Sequence, residues 1–215
     1  MTSNDQADPR PSLNKERILR AAVELTDREG LAALTMRRLG TELGYEAMAL
    51  YKHVANKDEI LDGMVEMVVS RIELPEEGSD WRDAMRRRAV SAREVLGRHS
   101  WAIGLLESRG FEGRAAMRYR DAVLGNLMAA GFSNENAAHA FWLLDCYVYG
   151  QVVQETSIGS STDAMTDAAP TDALASEFPN LASVYEHATT FEFTFDGEFH
   201  FGLDLILDGL ERHRR

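Results

Sequence analysis

The sequence predicts an all-α chain in two parts: an N-terminal three-helix unit containing a helix-turn-helix, and a larger helical part behind it. Three observations lead there. Apolar residues recur at helical spacing through most of the chain, first as Ile18, Ala21, Ala22 and Leu25. Two short apolar faces, Leu39 with Leu43 and Leu50 with Val54, flank Gly44 at i, i+4 spacing. The breaker segment Leu74-Pro75-Glu76-Glu77-Gly78 then divides the chain. The expected parts are a disordered start over 1–13, a helix-turn-helix domain with its connecting helix over 14–74, and a second domain over 75–215.

Taken in order, Asn14 caps a first helix that reaches about Glu29 and ends at Gly30. Thr35 is a good N-cap for the next, because its hydroxyl can accept from a free N–H of the first turn. Gly40 has no Cβ and so lets a second helix cross closely, and Gly44 can take the left-handed conformation that stops the helix. Leu50 and Val54 face inward on the following helix, leaving Arg37, Arg38, Lys52, His53 and Lys57 on the other side. Two short helices at a steep angle with a basic outer face suit the DNA major groove. A fourth helix runs from Lys57 to Ile72 with Ile60, Leu61, Met64, Val65 and Val68 inside.

Beyond the break, Trp81 to Leu96 carries an apolar stripe through Met85, Ala89, Ala92 and Leu96 with arginines opposite. Helices from Trp101 to Leu106 and from Glu112 to Ala130 follow, and Ser133 caps a long apolar one through Trp142 and Val152. Residues Gly159 to Thr171, rich in Ser, Thr, Asp and Ala, read as a mobile loop. The last helix covers about Glu198 to His213. The helices centred on Trp142 and Leu207 are apolar on more than one face, which calls for burial in the core or at a two-fold interface.

The net charge of −12 is unevenly placed: residues 1–57 hold nine Lys/Arg against eight Asp/Glu, and residues 58–215 hold fourteen against twenty-seven. The acidic balance therefore leaves the proposed DNA-contacting part untouched, and an acidic body weakens random DNA binding. One cysteine, Cys146, fits a reducing cytoplasm and reads as a small core residue. No signal peptide or membrane-spanning run is present, so a cytoplasmic protein is expected. There is no Gly-rich phosphate loop, Gly-x-Ser-x-Gly elbow or His-Glu-x-x-His motif, and the six histidines are never three to five apart. Neither an enzyme, a metal site nor a cofactor is expected.

The run Tyr51-Lys52-His53-Val54, then Asn56-Lys57 and Ile60-Leu61, following Leu39 and Leu43-Gly44, resembles the TetR family of bacterial transcriptional repressors. The resemblance is closest to its tetracycline-repressor branch. A second match is Phe201-Gly202-Leu203-Asp204-Leu205-Ile206-Leu207-Asp208-Gly209-Leu210-Glu211, with weaker echoes at Trp81 and at Ala130 to Ala137. The resemblance implies a homodimer through the helices around Trp142 and Leu207, a palindromic operator read in the major groove, and release by a small molecule. It implies base or backbone contact at Arg37 and phosphate contacts at Tyr51, His53 and Lys57; Lys52 stands where that branch has an aromatic residue and could reach guanine or phosphate. Ala47, Met48 and Ala49 open the recognition helix without a hydrogen-bonding side chain, so apolar contacts with thymine methyl groups are expected there.

For the effector, the resemblance points to Arg88, Ala92, Leu106, Arg109, Phe111, Val123, Leu124, Phe141, Trp142 and Asp145. Leu106 and Gln154 stand where that branch has ligands of a drug-bound magnesium, and neither suits a hard cation. Tetracycline is thus a poor fit, and an apolar or aromatic molecule with no metal is expected. The competing reading is a helical ligand sensor that has lost sequence-specific DNA binding.

Overall fold

The computed structural model describes residues 12–109, 113–158, 172–188 and 194–214. They form α1 (Lys15–Glu29), α2 (Met36–Leu43), α3 (Ala47–Leu50), α4 (Lys57–Val69), α5 (Trp81–Arg98), α6 (Trp101–Arg109), α7 (Arg114–Ala129), α8 (Asn134–Ile158), α9 (Asp172–Glu177), α10 (Pro179–Ala188) and α11 (Phe195–Glu211), with a 3₁₀ turn at Leu31–Ala33. The described residues contain helices and no strand. The expected disordered start and the loop after Gly159 lie outside the described residues, apart from Ser12 and Leu13.

Two compact units result. The first comprises the helices up to Ser70 together with Trp101–Ala116, and the second comprises Arg71–Ser100 with the chain from Met117 onward. Residues 101–116, which follow the break expected after Leu74, cluster with the first unit. The local reason is polar. Trp101 Nε1 donates to Asp27 at 2.6 Å, and Arg109 donates to Asp62 at 2.6 Å.

In the first unit, each cap does what its residue type allows. The Asn14 side chain accepts from Arg17 N at 2.8 Å, Thr35 Oγ1 from Arg38 N at 3.1 Å, and Asn56 Oδ1 from Glu59 N at 2.9 Å. Gly44 closes α2 at φ 75°, ψ 30°, a left-handed conformation that costs glycine little. Ile18, Leu25, Leu39, Leu50, Ile60 and Met64 are fully buried and form the core between α1, α2, α3 and α4. Gly40 sits where α2 meets the turn into α3: a Cβ there would lie 2.7 Å from the Tyr45 carbonyl oxygen and 3.2 Å from Ala47 N.

In the second unit, α5 packs along α8, and α8 against α11. The arginines opposite the apolar stripe of α5 pair with acids of α11 in antiparallel register, Arg82 with Asp208, Arg86 with Asp204 and Arg93 with Asp196. Arg93 also holds Glu155 of α8 at 2.8 Å. Trp81 meets Phe132 edge-on at 5.0 Å between ring centroids. The fourth helix ends at Val69, short of the expected Ile72, and α9 and α10 add two helices that the sequence pattern does not announce.

Because backbone atoms crowd Gly40, Gly40→Ala is expected to cost about 1–3 kcal/mol of stability. Gly104→Ala in α6, whose Cβ would meet nothing within 4 Å, should instead gain about 0.5–1 kcal/mol. Urea unfolding of both variants checks the contrast.

Candidate nucleic-acid interface and effector site

The outer rim of the helix pair in the first unit carries Arg37, Met48, Tyr51, Lys52, His53 and Lys57, all exposed, with Ala47 and Ala49 half-buried. Among the described residues, no side-chain hydrogen bond or ion pair ties down Arg37, Tyr51, Lys52, His53 or Lys57. Arg38 differs from its neighbours. It pairs with Glu29 at 2.5 Å and Glu42 at 3.7 Å, while Arg28 holds Glu42 at 2.8 Å. The Glu29 carboxylate raises the Arg38 pKa and is itself held below the usual carboxylate range by the Arg38 hydrogen bond. Arg38 therefore ties α1 to α2, and the basic outer face expected from sequence is smaller by one residue.

The helix α3 is four residues long and buries only Leu50. Met48, 73% exposed, stands at its front. Hydrogen bonds from His53 N and Val54 N to the Leu50 carbonyl carry the turn beyond it, at 2.9 and 3.1 Å. Lys57 follows at the first position of α4, whose start is fixed by Asn56 and by Glu59. The Glu59 carboxylate accepts from Ala55 N at 2.6 Å and from Lys15 at 2.5 Å.

Three acids of α4, Asp58, Asp62 and Glu66, recur every four residues and so share one face. Arg109 spans the first two, at 3.0 and 2.6 Å, and also donates to the Asp58 carbonyl at 3.3 Å. Glu66 accepts from Ala115 N at 2.7 Å and Ala116 N at 3.4 Å, the otherwise unpaired amides that open α7. A Cβ on Gly113 would lie 1.8 Å from Glu66 Oε1, so the absence of a side chain there admits the carboxylate. A cavity of about 520 Å³ lies in this corner, lined by Asp62, Val65, Glu66, Ser108, Arg109, Gly113 and Ala116.

In the second unit Arg88 is among the largest fully buried side chains. Its Nε donates to Tyr119 Oη at 2.6 Å, its Nη2 donates to Asp145 Oδ1, and Tyr119 Oη donates to the same carboxylate oxygen at 3.3 Å. The guanidinium carbon lies 5.0 Å from the Tyr119 ring centre and 5.6 Å from that of Phe141. Tyr119 meets Phe141 edge-on at 6.2 Å. Arg88 Nη1 and Asp145 Oδ2 are buried with no hydrogen-bond partner. Leaving such atoms unmatched in the interior is costly.

Of the residues expected to form the effector site, Arg88, Phe141 and Asp145 come together here. Ala92 and Val123 are buried on α5 and α7, and Leu124 is half-buried. Phe111 lies outside the described residues. Leu106 and Arg109 belong to the first unit, where the Arg109 charge is taken up by α4. Trp142 is 61% exposed and is not part of the buried cluster. It shares an outer stripe of α8 with Cys146 and Val153, also exposed, which corrects the expectation that Cys146 is a core residue. Four-residue steps from Trp142 lead to Cys146 and Gly150, away from the buried Phe141, Leu144 and Val148. On α11, Phe201 and Leu205 are exposed in the same way, whereas Leu207 is fully buried. Tyr119 is a member of the cluster that sequence reasoning missed. The signal available was two opposite charges, Arg88 and Asp145, on otherwise apolar helix faces, which require polar company.

Among the described residues, no group of three His, Cys, Asp or Glu side chains could hold a metal ion, and no helix is long and apolar enough to cross a membrane.

Comparison with known proteins gives a concordant result. Residues 18–64 match the family model for bacterial regulatory proteins, tetR family, and residues 74–214 match the tetracyclin repressor-like C-terminal domain. The chain is 35% identical to the HTH-type transcriptional repressor DrrR1 of Streptomyces coeruleorubidus, across 94% of this chain and 79% of that protein. It is 30% identical to the tetracycline repressor protein class C of Escherichia coli, across 94% of this chain and 92% of that protein. The crystal structure of the Streptomyces coelicolor TetR family protein ActR in complex with actinorhodin matches with a TM-score of 0.77 at 28% identity, across 94% of this chain and 98% of that one.

The site also titrates. The Ala55 N–H, followed by the Lys15 ammonium, holds the Glu59 carboxyl below its ordinary value of 4.5. A depressed folded-state pKa contributes stability above 4.5 that is lost as pH falls through the folded value. The stability difference between wild type and Glu59→Gln, measured by urea unfolding, should therefore be present at neutral pH and shrink below about 4.5.

Proposed function

The chain belongs to the tetR family of bacterial transcriptional regulators, and on that premise we propose that it is a homodimeric repressor that leaves a palindromic operator when a small, largely apolar or aromatic effector binds its second unit. The observation that carries the DNA-binding half of this reading is the rim of Arg37, Tyr51, Lys52, His53 and Lys57. These side chains are exposed and uncommitted, while Arg28, Glu29, Arg38 and Glu42 beside them are paired into the fold. A sensor with no DNA to bind would leave that asymmetry without a use.

Roles divide by chemistry. Tyr51 and His53 donate to phosphate oxygens through a hydroxyl and a ring N–H, and Lys57 adds a charge-assisted contact at the start of α4. Arg37 works at the groove edge, and Lys52 reaches guanine or phosphate. Ala47, Met48 and Ala49 present methyl and thioether surface suited to thymine methyl groups. Two such rims ~34–36 Å apart enter successive major grooves of a palindrome.

The exposed stripe of Trp142, Phe201 and Leu205 supports pairing of α8 and α11 with a symmetry mate as a four-helix bundle. Aromatic side chains left this open on a monomer mark an interaction face. For the effector, the support comes from the buried Arg88, Tyr119, Phe141 and Asp145 cluster, an aromatic-walled polar spot inside an apolar core. Tyr119 lies one helical turn beyond the α7 amides that Glu66 holds. A ligand that prefers a shifted α7 thus acts on α4, and on Lys57 at its head. Coupling of ~1–3 kcal/mol would change operator affinity ~5–150-fold.

In-vitro selection from random DNA at fixed salt tests this reading. An enriched palindrome is expected, and no enrichment by active dimer would leave the sensor alternative standing. On the selected site, Lys57→Ala should lower the slope of log affinity against log salt by ~1, one phosphate being left un-neutralised. Trp142→Glu should give a folded monomer by analytical ultracentrifugation with its operator affinity abolished; a variant that stays dimeric would refute the assignment of the interface.

A further inference from the structure

Resting on the reading that the second unit takes the effector, we infer that this effector is uncharged and meets the buried Arg88–Asp145 pair through an adjacent hydrogen-bond acceptor and donor, as a lactam, a carboxamide or a hydroxy-carbonyl edge does. A carboxylate or an ammonium ligand is disfavoured by the same groups.

The geometry leaves little choice of direction. Arg88 is 1% exposed and Asp145 5% exposed. Tyr119 and Phe141 lie against the guanidinium at 5.0 and 5.6 Å, its Nε is spent on Tyr119 and its Nη2 on Asp145. The nitrogen left with no partner at all is Nη1, which can only donate. Asp145 has given Oδ1 to Arg88 and Tyr119, and its Oδ2, which as a carboxylate oxygen only accepts, has no partner. Because the contact between the two side chains uses one oxygen and one nitrogen, a free donor and a free acceptor are left by a single ion pair. A guest must bring the complement of both.

Charge selects further. Arg88 and Asp145 neutralise each other, so a guest ion would enter a buried site with no countercharge of its own and keep its full desolvation cost. Arg120, whose guanidinium carbon is 5.5 Å from the Phe141 ring centre, is half-buried and already has partners of its own. The aromatic faces of Tyr119 and Phe141 favour a flat body behind the polar edge. Specificity of this kind is strong, because an analogue lacking one group leaves the other partner buried and unmatched.

Three planar bicyclic probes separate the possibilities on the intact dimer: 2-quinolone, which has an N–H beside a C=O; N-methyl-2-quinolone, which lacks the donor; and quinoline-2-carboxylate, which is an anion. Binding is read by protein-observed NMR and calorimetry, without DNA. 2-Quinolone should bind at least about tenfold more tightly than either analogue, the factor expected when a buried partner goes unmatched. Asp145→Asn removes the countercharge to Arg88 and should reverse the order in favour of the carboxylate. A melting curve confirms that the variant is folded, and the wild-type ranking stands as a test by itself. Equal binding of the quinolone and its N-methyl form, tighter binding of the carboxylate to wild type, or no quinolone binding at millimolar concentration would overturn the inference. Discrimination among the probes with operator affinity unaffected by 2-quinolone would sustain it and count instead against effector-driven release.

Discussion

The first unit is organised around the acidic face of α4. Asp58 and Asp62 are gathered by Arg109, and Glu66 is gathered by the opening amides of α7, so Arg109 and the start of α7 are both strapped to the helix that begins with Lys57. Each strap is weak by itself. Asp58 and Asp62 keep most of their surface in solvent, and exposed pairs are worth ~0–1 kcal/mol. A carboxylate at a helix N-terminus adds a similar ~0.3–1 kcal/mol. Their sum is comparable to the few kcal/mol that separates conformations of a switch, whereas the apolar core of Ile18, Leu39, Leu50 and Met64 is far too costly to open. The helix-turn-helix is thus held by its apolar core far more firmly than by these straps.

How far the sequence reveals this depends on the range of each interaction. Caps are legible because they are local: Asn14, Thr35 and Ser133 each sit just before their helix and accept from an N–H three residues on. Apolar stripes are legible because burial follows periodicity, as Ile18, Ala22 and Leu25 show. Contacts between distant residues are not. Arg109 lies 47 positions from Asp62, and no pattern along the chain announces that pairing. The same holds for Tyr119 with Arg88, 31 positions apart, although a buried charge had to find a polar neighbour somewhere.

Trp142 and Cys146 show a different limit. A helix that is apolar all round is ambiguous in sequence, since core and subunit interface demand the same residue types. The structure sorts the residues by exposure: Phe141, Leu144 and Val148 face inward, while Trp142 and Cys146 face out. Arg38 is ambiguous for the opposite reason. A basic residue beside Arg37 reads as part of a cationic face until Glu29 and Glu42 are found to have claimed it. Charge that is internally matched holds helices together; charge left over is what another molecule can meet.

The brevity of α3 has an evolutionary meaning. Leu50 alone anchors it in the core, while Met48 projects from the front and Ala49 contributes little to burial. The scaffold's stability is set by Gly40, Leu39, Leu43 and Leu50, and the residues proposed to face the bases lie outside that set. Substitutions at Met48 and Ala49 can accumulate without threatening the fold, so under the proposed reading the chain can drift toward new operator sequences while its second unit stays as it was. Recognition and architecture are nearly separable variables in this domain, which is the condition under which one scaffold diversifies into many regulators.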